Sequence, residues 1–301
     1  MKKICLLYGG ESTERDVSLS SHAKLHESLS KIGIVKDFDT INGISSMVKL
    51  LDDFKPDCVF NGLYGGYGEN GEIQSLLNLM KIPYTHSGVT TSRLAMDKFL
   101  SSIIFEKYNI PTPKTKIVKP EEIKLLNDGA IEYPFVIKPE CGGSSVGVYI
   151  INSAADLEKV EWPFHDLVLV QEYIPGRELT VGVLNGKALA VTEISPNVGF
   201  YDYKTKYSDG MAMHILPAEI SVHATERIMK YAELVYKHFG CRGIARVDFR
   251  YDEKEDIAYV LEINTQPGMT EMSLFPEQAK YRGISFQKLI EMVVEQACYD
   301  L

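Results

Sequence analysis

The stretch GIARVDFRYDEKEDIAYVLEINTQPG, residues 243–268, decides the fold because it contains two strand-like segments with polar residues at alternate positions. Side chains alternate between the faces of a strand, so Arg246 and Asp248 share one face, as do Glu262 and Asn264. If the two segments pair, one cation and three oxygen ligands converge. Such ligands suit Mg²⁺, whose other positions hold water and nucleotide phosphates. A solvated hairpin with charge pairs is the alternative, but the apolar residues in between favour the ion site.

A glycine-rich loop lies upstream, within ECGGSSVGVYI at residues 140–150. Its G-x-S-x-G spacing matches a hydrolase nucleophile elbow at Ser145, yet glycine-rich backbone also approaches phosphates. An elbow joins a strand to a helix, whereas Gly147 is followed by Val-Tyr-Ile-Ile, which favours a second strand. We therefore expect a flap over phosphates with Lys138 as a nearby cation. An ordinary hairpin loop beside an exposed lysine is the alternative.

The rest of the chain changes its pattern after about ninety residues. The first part alternates strands, loops and helices, as in a small parallel α/β lobe. Later strands follow one another directly, and Asn185-Gly186 between two of them is a strong hairpin signal. Helices are predicted over residues 18–32, 92–109, 222–239 and 286–299.

Composition excludes several classes of function. The chain has 301 residues and a net charge of −9, without the basic stripe that nucleic acids or anionic membranes require. No apolar run is long enough to span a bilayer, and the five-residue run ended by Gly9-Gly10 is too short for a signal sequence. The five cysteines form no CxxC pair, which favours reduced thiols and a cytoplasmic location.

Taken in order, these motifs resemble the ATP-grasp superfamily, and within it the D-alanine–D-alanine ligase family. The resemblance covers nearly the whole chain, through GGESTERDVSLSS, YGGYGENGEIQ, LAMDK, KPECGGSSVGV, GRELTV, FYDYKTKY, GIARVDF and EINTQPGMTEMSLFP. It implies an α/β fold, α+β in part, of the ATP-grasp type, with a Rossmann-like parallel N-terminal lobe, a small central lobe and a C-terminal antiparallel-sheet lobe. The implied domains are 1–88, 89–174 and 175–301.

The resemblance also implies a reaction and a nucleotide site. ATP would phosphorylate one D-alanine carboxylate, and the amine of a second D-alanine would attack the acyl phosphate, giving a dipeptide for peptidoglycan synthesis. Two Mg²⁺ ions, replaceable by Mn²⁺, would bind Asp248, Glu262 and Asn264, while Arg246 would stabilise the transferred phosphoryl group. The residues implied to contact ATP are Lys98, Lys138, Gln171, Glu172, Tyr173, Ile174, Glu178 and Lys206.

The D-alanine sites follow from the same resemblance. Glu14 would pair with the ammonium of the first D-alanine. The alternative is that this glutamate only satisfies the free backbone amides at the start of a helix. Ser144 would bond Tyr207, which joins the glycine flap to a lid over residues 197–213. The positions implied for the second D-alanine and an oxyanion site are Gly268, Ser273 and Leu274. The lid tyrosine favours an amine over a hydroxy acid as the second substrate.

Some positions depart from the family pattern. Tyr64 stands where the family usually has a histidine near the first substrate, and Asn70 stands where it has an acid. Tyr64 either changes substrate binding or packs within a loop. Gln171 replaces an acidic residue at the adenine-binding position. His22 and His26 are four residues apart, but the sequence shows no third metal ligand beside them, which favours a solvated helix face.

Three other functions remain open at this point. A related ATP-grasp ligase could join D-alanine to another D-amino acid or a hydroxy acid. A serine hydrolase would use Ser145 and would need neither ATP nor Mg²⁺. A non-catalytic protein would bind ATP without releasing ADP. As partners we expect D-alanine, ATP and a second copy of the chain in a homodimer, and neither nucleic acid nor a membrane.

Overall fold

The computed structural model describes residues 1–128, 132–143, 146–164, 167–196, 212–270 and 273–300. Its N-terminal part contains a parallel sheet, as the sequence predicts, with the strand order β2-β1-β3. The strands are β1 (Lys2–Tyr8), β2 (Gly33–Asp39) and β3 (Cys58–Asn61). The helices of this part are α1 (Arg15–Ser30), α2 (Ile44–Phe54) and α3 (Glu72–Leu79), with short 3-10 turns at Thr40–Asn42 and Gly66–Gly68.

Strand β1 is buried on both faces. Ile4 and Leu6 pack with Leu25 of α1 on one face, whereas Cys5 and Leu7 belong to a second cluster on the other face. This explains why its sequence is an apolar run rather than an alternating one. Helix α1 begins three residues earlier than predicted, because the turn from Ser12 to Arg15 leads directly into it.

The predicted single helix over residues 92–109 is wrong: the chain forms α4 (Val89–Met96) and α5 (Lys98–Lys107). Asp97 has extended backbone between them, and its carboxylate accepts a hydrogen bond from Leu100 N at 2.8 Å. A side chain that caps a new helix start competes with continuation of the old helix. The break makes Lys98 the first residue of α5.

Two antiparallel sheets make up the rest of the structure. One has the order β4-β7-β5-β6, with β4 (Thr115–Val118), β5 (Phe135–Pro139), β6 (Tyr149–Ile151) and β7 (Val168–Glu172). The other has the order β10-β9-β8-β11-β12, with β8 (Arg177–Leu184), β9 (Lys187–Pro196), β10 (Ala212–Ile215), β11 (Ile244–Asp252) and β12 (Ile257–Asn264). The 3-10 segment Pro120–Asp128 and helix α6 (Ala154–Glu158) accompany the smaller sheet.

Helices cover the larger sheet and connect it to the N-terminal sheet. Helix α7 (Val222–Phe239) has its predicted bounds, and Gly240 ends it in left-handed backbone with φ 70°. Helices α8 (Leu274–Tyr281) and α9 (Phe286–Glu295) follow, and α9 ends earlier than predicted. Leu289 and Ile290 of α9 share one buried cluster with β1 and α1. No helix in the described part of the chain combines the length and apolar content of a membrane span.

The predicted hairpins are confirmed. Asn185 and Gly186 connect β8 to β9 with φ values of 49° and 79°, as a tight turn with two left-handed residues requires. Strands β11 and β12 pair antiparallel, so that Asp248 lies opposite Glu262 and Arg246 lies opposite Asn264.

Candidate active site

A cavity of about 590 Å³ lies between the two antiparallel sheets. Apolar side chains of both sheets line it, among them Val136, Ile150 and Leu261. Charged side chains also line it, among them Lys98, Lys138, Glu178, Asp248 and Glu262. An apolar slot beside a few converging charges is the usual form of a site for an aromatic, anionic ligand such as a nucleotide.

The hairpin β11–β12 supplies the candidate metal ligands. Its register places the two carboxylates directly opposite each other and the Asn264 amide opposite Arg246. A register shift follows Asp248, so that Leu261 is left without an opposite residue. Two carboxylates and an amide oxygen on paired strands are a donor set that fits Mg²⁺.

Asp248 is almost completely buried and strongly hydrogen bonded. Arg246 donates to it from Nε at 2.8 Å and from Nη2 at 2.7 Å. Thr180 donates to Asp248 Oδ1 at 2.6 Å from the neighbouring strand β8. These bonds fix the orientation of the carboxylate, and the role of Thr180 was missed in the sequence because it depends on the pairing of β8 with β11.

Lys98 connects the helix α5 to the metal ligands and to the glycine loop. Its Nζ lies 3.4 Å from Glu262 Oε2 and donates to the carbonyl oxygen of Gly142. Its backbone N–H donates to Glu140 O at 3.1 Å. The Lys98 side chain keeps 10% of its surface exposed and lines the cavity, where its ammonium can neutralise a bound phosphate.

The predicted adenine-binding segment follows β7 along the cavity. Gln171 is buried, and its amide donates to Thr115 Oγ1 at 3.0 Å, whereas Glu172 is exposed. Tyr173 and Ile174 also line the cavity. Residues 173–176 connect β7 of the smaller sheet to β8 of the larger sheet, beside the cavity.

Two more nucleotide-binding candidates lie on strands. Lys138 is 8% exposed and lies on β5 opposite Leu169, so its ammonium enters the cavity from the smaller sheet. Glu178 lies on β8 of the larger sheet, 3.9 Å from Arg250 Nη1. The two therefore face the cavity from opposite walls.

Glu14 lies where the glycine loop meets the N-terminal lobe. A Cβ placed on Gly65 would lie 2.5 Å from Glu14 Oε2, and one placed on Gly143 would lie 3.4 Å from it. Only glycine at position 65, where φ is 66°, allows the carboxylate to pack this closely against the loop. The fold thus brings Glu14 beside the loop that leads to residue 144.

Ser273 is adjacent to Gly268 at the start of α8. Its Oγ accepts from Thr270 N at 3.0 Å, and a Cβ on Gly268 would come within 2.9 Å of it. Leu274 is buried with its side chain against Ile194, so its backbone rather than its side chain is available to a ligand. Backbone N–H groups at a helix start favour a carboxylate.

Tyr64 is buried, with 5% of its surface exposed. Its hydroxyl accepts a hydrogen bond from Met269 N at 3.1 Å, next to Gly268. Burial raises the pKa of this phenol, so it stays neutral. The Tyr64 side chain therefore supports the loop next to Gly268 by bonding the backbone N–H of Met269.

Glu69 was not assigned a role from the sequence, although it is the acidic residue of the YGGYGENG motif. Burial and then the negative charge of Glu14 raise the pKa of Glu69, while Arg246 opposes this effect. Glu262 adds to the repulsion. Four ionisable groups from distant parts of the chain therefore interact at one place, which is typical of an active site.

The predicted contacts of Ser144, Lys206 and Tyr207 lie outside the described residues. The same holds for Ser145, on which the hydrolase alternative depends.

Comparisons with known proteins agree with this geometry. Residues 103–295 match the family model described as the C-terminus of D-ala D-ala ligase. The chain is 42% identical over 303 residues to a D-alanine–D-alanine ligase of Rhodospirillum rubrum, with 99% of each chain covered. It resembles the structure of a D-alanine–D-alanine ligase from Bacillus anthracis in complex with ATP, with 31% identity, a TM-score of 0.82 and coverage of 98% and 96%. A D-Ala:D-Ser ligase from Enterococcus faecalis is similar, with 28% identity, a TM-score of 0.81 and coverage of 98% and 99%.

Proposed function

The chain belongs to the D-alanine–D-alanine ligase family, and we propose that it joins two D-alanine molecules to D-alanyl-D-alanine, with conversion of one ATP to ADP and phosphate. The observation that carries this proposal is the register of β11 and β12, which pairs Asp248 with Glu262 beside a cavity that also contains Lys98 and Lys138. The product supplies peptidoglycan synthesis.

The reaction has two steps. A carboxylate oxygen of the first D-alanine attacks the γ-phosphorus of ATP, and ADP leaves with the electrons of the broken P–O bond. The amine nitrogen of the second D-alanine then attacks the carbonyl carbon of the acyl phosphate, loses its proton and displaces phosphate. Neither step needs a nucleophile from the protein, so positioning and charge neutralisation carry the catalysis.

Asp248, Glu262 and Asn264 would hold two Mg²⁺ ions, or Mn²⁺ in their place. Phosphate oxygens of ATP and water would supply the remaining ligands. When bound, these ions neutralise charge on the phosphates. Arg246 donates two hydrogen bonds to Asp248, which orients this carboxylate as a metal ligand, and its guanidinium would stabilise the transferred phosphoryl group.

Lys98 and Lys138, which both line the cavity, would contact the phosphates. Adenine would lie against the backbone of Gln171, Glu172, Tyr173 and Ile174, and Glu178 would accept from the ribose hydroxyls. Val136 and Leu261 in the lining support this assignment, because apolar side chains favour packing of an aromatic base. Lys206 of the lid would complete the phosphate contacts.

The first D-alanine would place its ammonium at Glu14 and the second its carboxylate at Ser273, Gly268 and the Leu274 N–H. The short distance between Glu14 and Gly143 supports the first assignment, because it places the Glu14 carboxylate between the N-terminal lobe and the glycine loop. We propose that Ser144 and Tyr207 close this site. We also propose that Tyr64 supports it by accepting the hydrogen bond from Met269 N.

The reaction class is tested by ADP release in the presence of ATP and Mg²⁺, with D-alanine, D-serine, L-alanine or D-lactate added in turn, and with the product identified by mass. We expect release with D-alanine and a product of the mass of its dipeptide. The Glu262→Gln variant should lose at least about 100-fold in rate because it loses a metal ligand. Glu255→Gln, in the exposed turn of the same hairpin, should keep its rate.

A second candidate is a ligase that joins D-alanine to D-serine, which the Enterococcus faecalis structure favours. A mixed dipeptide as the main product, when both amino acids are present, would support it and contradict the D-alanine assignment. No ADP release with any substrate, from protein that still binds ATP, would exclude both ligases.

We also propose that the enzyme works in the cytoplasm as a homodimer. All five cysteines are unpaired in the described residues, which supports a reducing compartment.

A further inference from the structure

Three side chains on α1 and β2 form a group that the proposed reaction does not use. His22 and His26 lie one turn apart on α1, and Asp37 lies on β2. Among the described residues, this is the one set of three or more histidine, cysteine or acidic side chains whose ligand atoms all lie within 4.8 Å of one another. None of the three lines the cavity between the antiparallel sheets.

Asp37 is a third candidate ligand that the sequence did not reveal. Two histidines four positions apart on a helix point the same way, and the fold brings a strand against that face. Residue 37 pairs with Leu6 in the parallel ladder of β1 and β2, which orients its carboxylate towards the helix. Nothing local in the sequence connects Asp37 to the two histidines.

The distances suit a shared ion. Asp37 Oδ2 lies 3.0 Å from His22 Nε2 and 2.8 Å from His26 Nδ1. A tetrahedral ion with ligands at about 2.0–2.1 Å separates neighbouring ligands by about 3.3 Å, which is close to these two distances. The imidazole nitrogens of His22 and His26 lie within 4.8 Å of each other. Without an ion, the same atoms are held together by hydrogen bonds.

The group is both rigid and accessible. The His22 ring stacks on Tyr8 with centroids 3.9 Å apart, which fixes its orientation. The side chains of His22, His26 and Asp37 keep 25%, 43% and 24% of their surface exposed. Rigid ligands lower the ordering cost of binding, and the open side leaves room for water as a fourth ligand.

We propose that His22, His26 and Asp37 bind one divalent transition ion of the Zn²⁺ class. Two imidazoles and one carboxylate favour Zn²⁺, Co²⁺, Ni²⁺ or Cu²⁺ over Mg²⁺, which prefers oxygen ligands. The site is thus chemically distinct from the oxygen site at Asp248 and Glu262. A bound ion would link α1, which begins directly after Glu14, to the central sheet of the N-terminal lobe.

The test is a Co²⁺ titration of the metal-free, full-length enzyme in the presence of excess Mg²⁺. The visible absorption of Co²⁺ reports nitrogen ligation and low coordination number, which an oxygen site does not produce. We expect one Co²⁺ per chain with visible absorption, displaced by one Zn²⁺. His26→Gln should weaken the binding at least about tenfold, because loss of an outer contact alone costs that much.

The controls locate the ion. His223→Gln changes an exposed histidine of α7 and should leave the titration unchanged. Glu262→Gln should also keep the absorption, since it affects only the Mg²⁺ site. ADP release with D-alanine, retained by His26→Gln, would show that this variant is folded. The proposal is overturned if the wild-type enzyme gives no visible absorption, if His26→Gln binds as tightly as wild type, or if Glu262→Gln abolishes the signal.

Discussion

At the scale of single residues, the candidate metal site depends on groups that do not touch the ion. Asp248 is oriented by Arg246, which lies two residues away on the same face of β11, and by Thr180, which the register of β8 places opposite it. Such outer contacts keep a carboxylate in one orientation before the ligand arrives, which lowers the cost of binding.

Thr180→Val removes the hydroxyl that donates to Asp248 and keeps the shape of the side chain. We expect the Mg²⁺ concentration for half-maximal ADP release to rise about tenfold, because the Asp248 carboxylate loses one of the hydrogen bonds that fix its orientation. The rate at saturating Mg²⁺ should change less. A titration of ADP release against Mg²⁺ measures both quantities.

Thr192→Val is the matched control for this change. Thr192 lies directly opposite Thr180 on β9, is equally buried, and accepts a hydrogen bond from Gln278 at 2.9 Å. This variant should lose stability without any change in Mg²⁺ dependence. Equal Mg²⁺ dependence in both variants would show that Thr180 has no special role at Asp248.

His86 makes stability depend on pH. It is 3% exposed, its Nε2 lies 3.1 Å from Asn61 O, and its Nδ1 has no hydrogen-bond partner among the described residues. Burial lowers the pKa of His86 to about 4. As the pH falls below about 6.5, His86 takes up a proton in the unfolded chain but not in the folded chain. The full contribution of neutral His86 to the free energy of unfolding is therefore present above about pH 6.5, and it is lost as the pH falls towards 4.

This contribution amounts to about 2 kcal/mol between pH 7 and pH 5. His86→Asn removes the titrating group, and asparagine tolerates the φ of 70° at this position. Urea unfolding of the variant should therefore show a smaller loss of stability over that range than the wild type. The exposed His223→Asn should behave like wild type, and an unchanged pH dependence in His86→Asn would refute the assignment.

At the scale of elements, the break between α4 and α5 places Lys98. Asp97→Ala removes the cap on Leu100 N and should cost about 1 kcal/mol of stability. If the cap also holds Lys98 in position, the same energy corresponds to about a fivefold increase in the KM for ATP. Thermal unfolding and ATP-dependent kinetics measure the two effects separately.

Ser221→Ala provides the comparison, because Ser221 caps α7 by accepting from Ala224 N at 3.0 Å, remote from the cavity lining. It should lose similar stability while its KM for ATP stays constant. If the KM for ATP does not change in Asp97→Ala either, the position of Lys98 does not depend on the helix break.

The same elements show how far the sequence could be interpreted. The hairpin β11–β12 was predictable because a period of two is a local pattern, and so was the turn at Asn185-Gly186. The break at Asp97 was not, because the apolar spacing continues through it and only the side-chain cap decides. Thr180 and Asp37 were missed for another reason: their partners are set by strand register, which no local pattern encodes.

At the scale of the whole molecule, the N-terminal lobe is joined to the rest by buried polar contacts. The side-chain amide of Asn61, at the end of β3, donates to Oε1 of Gln266, which lies two residues after the end of β12, at 2.9 Å. Glu14 and Glu69 in the first lobe interact electrostatically with each other, and Glu69 also interacts with Arg246 and Glu262. The interaction of these four groups therefore depends on how the lobes are held.

Asp300 forms a second connection. Its carboxylate accepts from Arg242 Nη1 at 2.7 Å and from Val89 N at 2.9 Å, and Tyr84 OH and Asn78 Nδ2 each lie 3.3 Å away. One carboxylate thus bonds the turn after α7, the start of α4 and the last part of the N-terminal lobe. Charge-assisted bonds of this kind hold elements from distant parts of the chain in one arrangement.

Asp300→Asn keeps the shape of this side chain and removes its charge. We expect a loss of about 1–2 kcal/mol, discounted because the carboxylate is 35% exposed, and a Tm lower by roughly 3–6 °C. The KM for ATP should not change, since Asp300 does not line the cavity. Glu27→Gln breaks an exposed ion pair with Lys31 on α1 and should shift the Tm by less than about 2 °C. If both variants melt alike, Asp300 contributes no more than a surface charge, and the lobes are held together by Asn61, Gln266 and the shared apolar cluster of β1, α1 and α9.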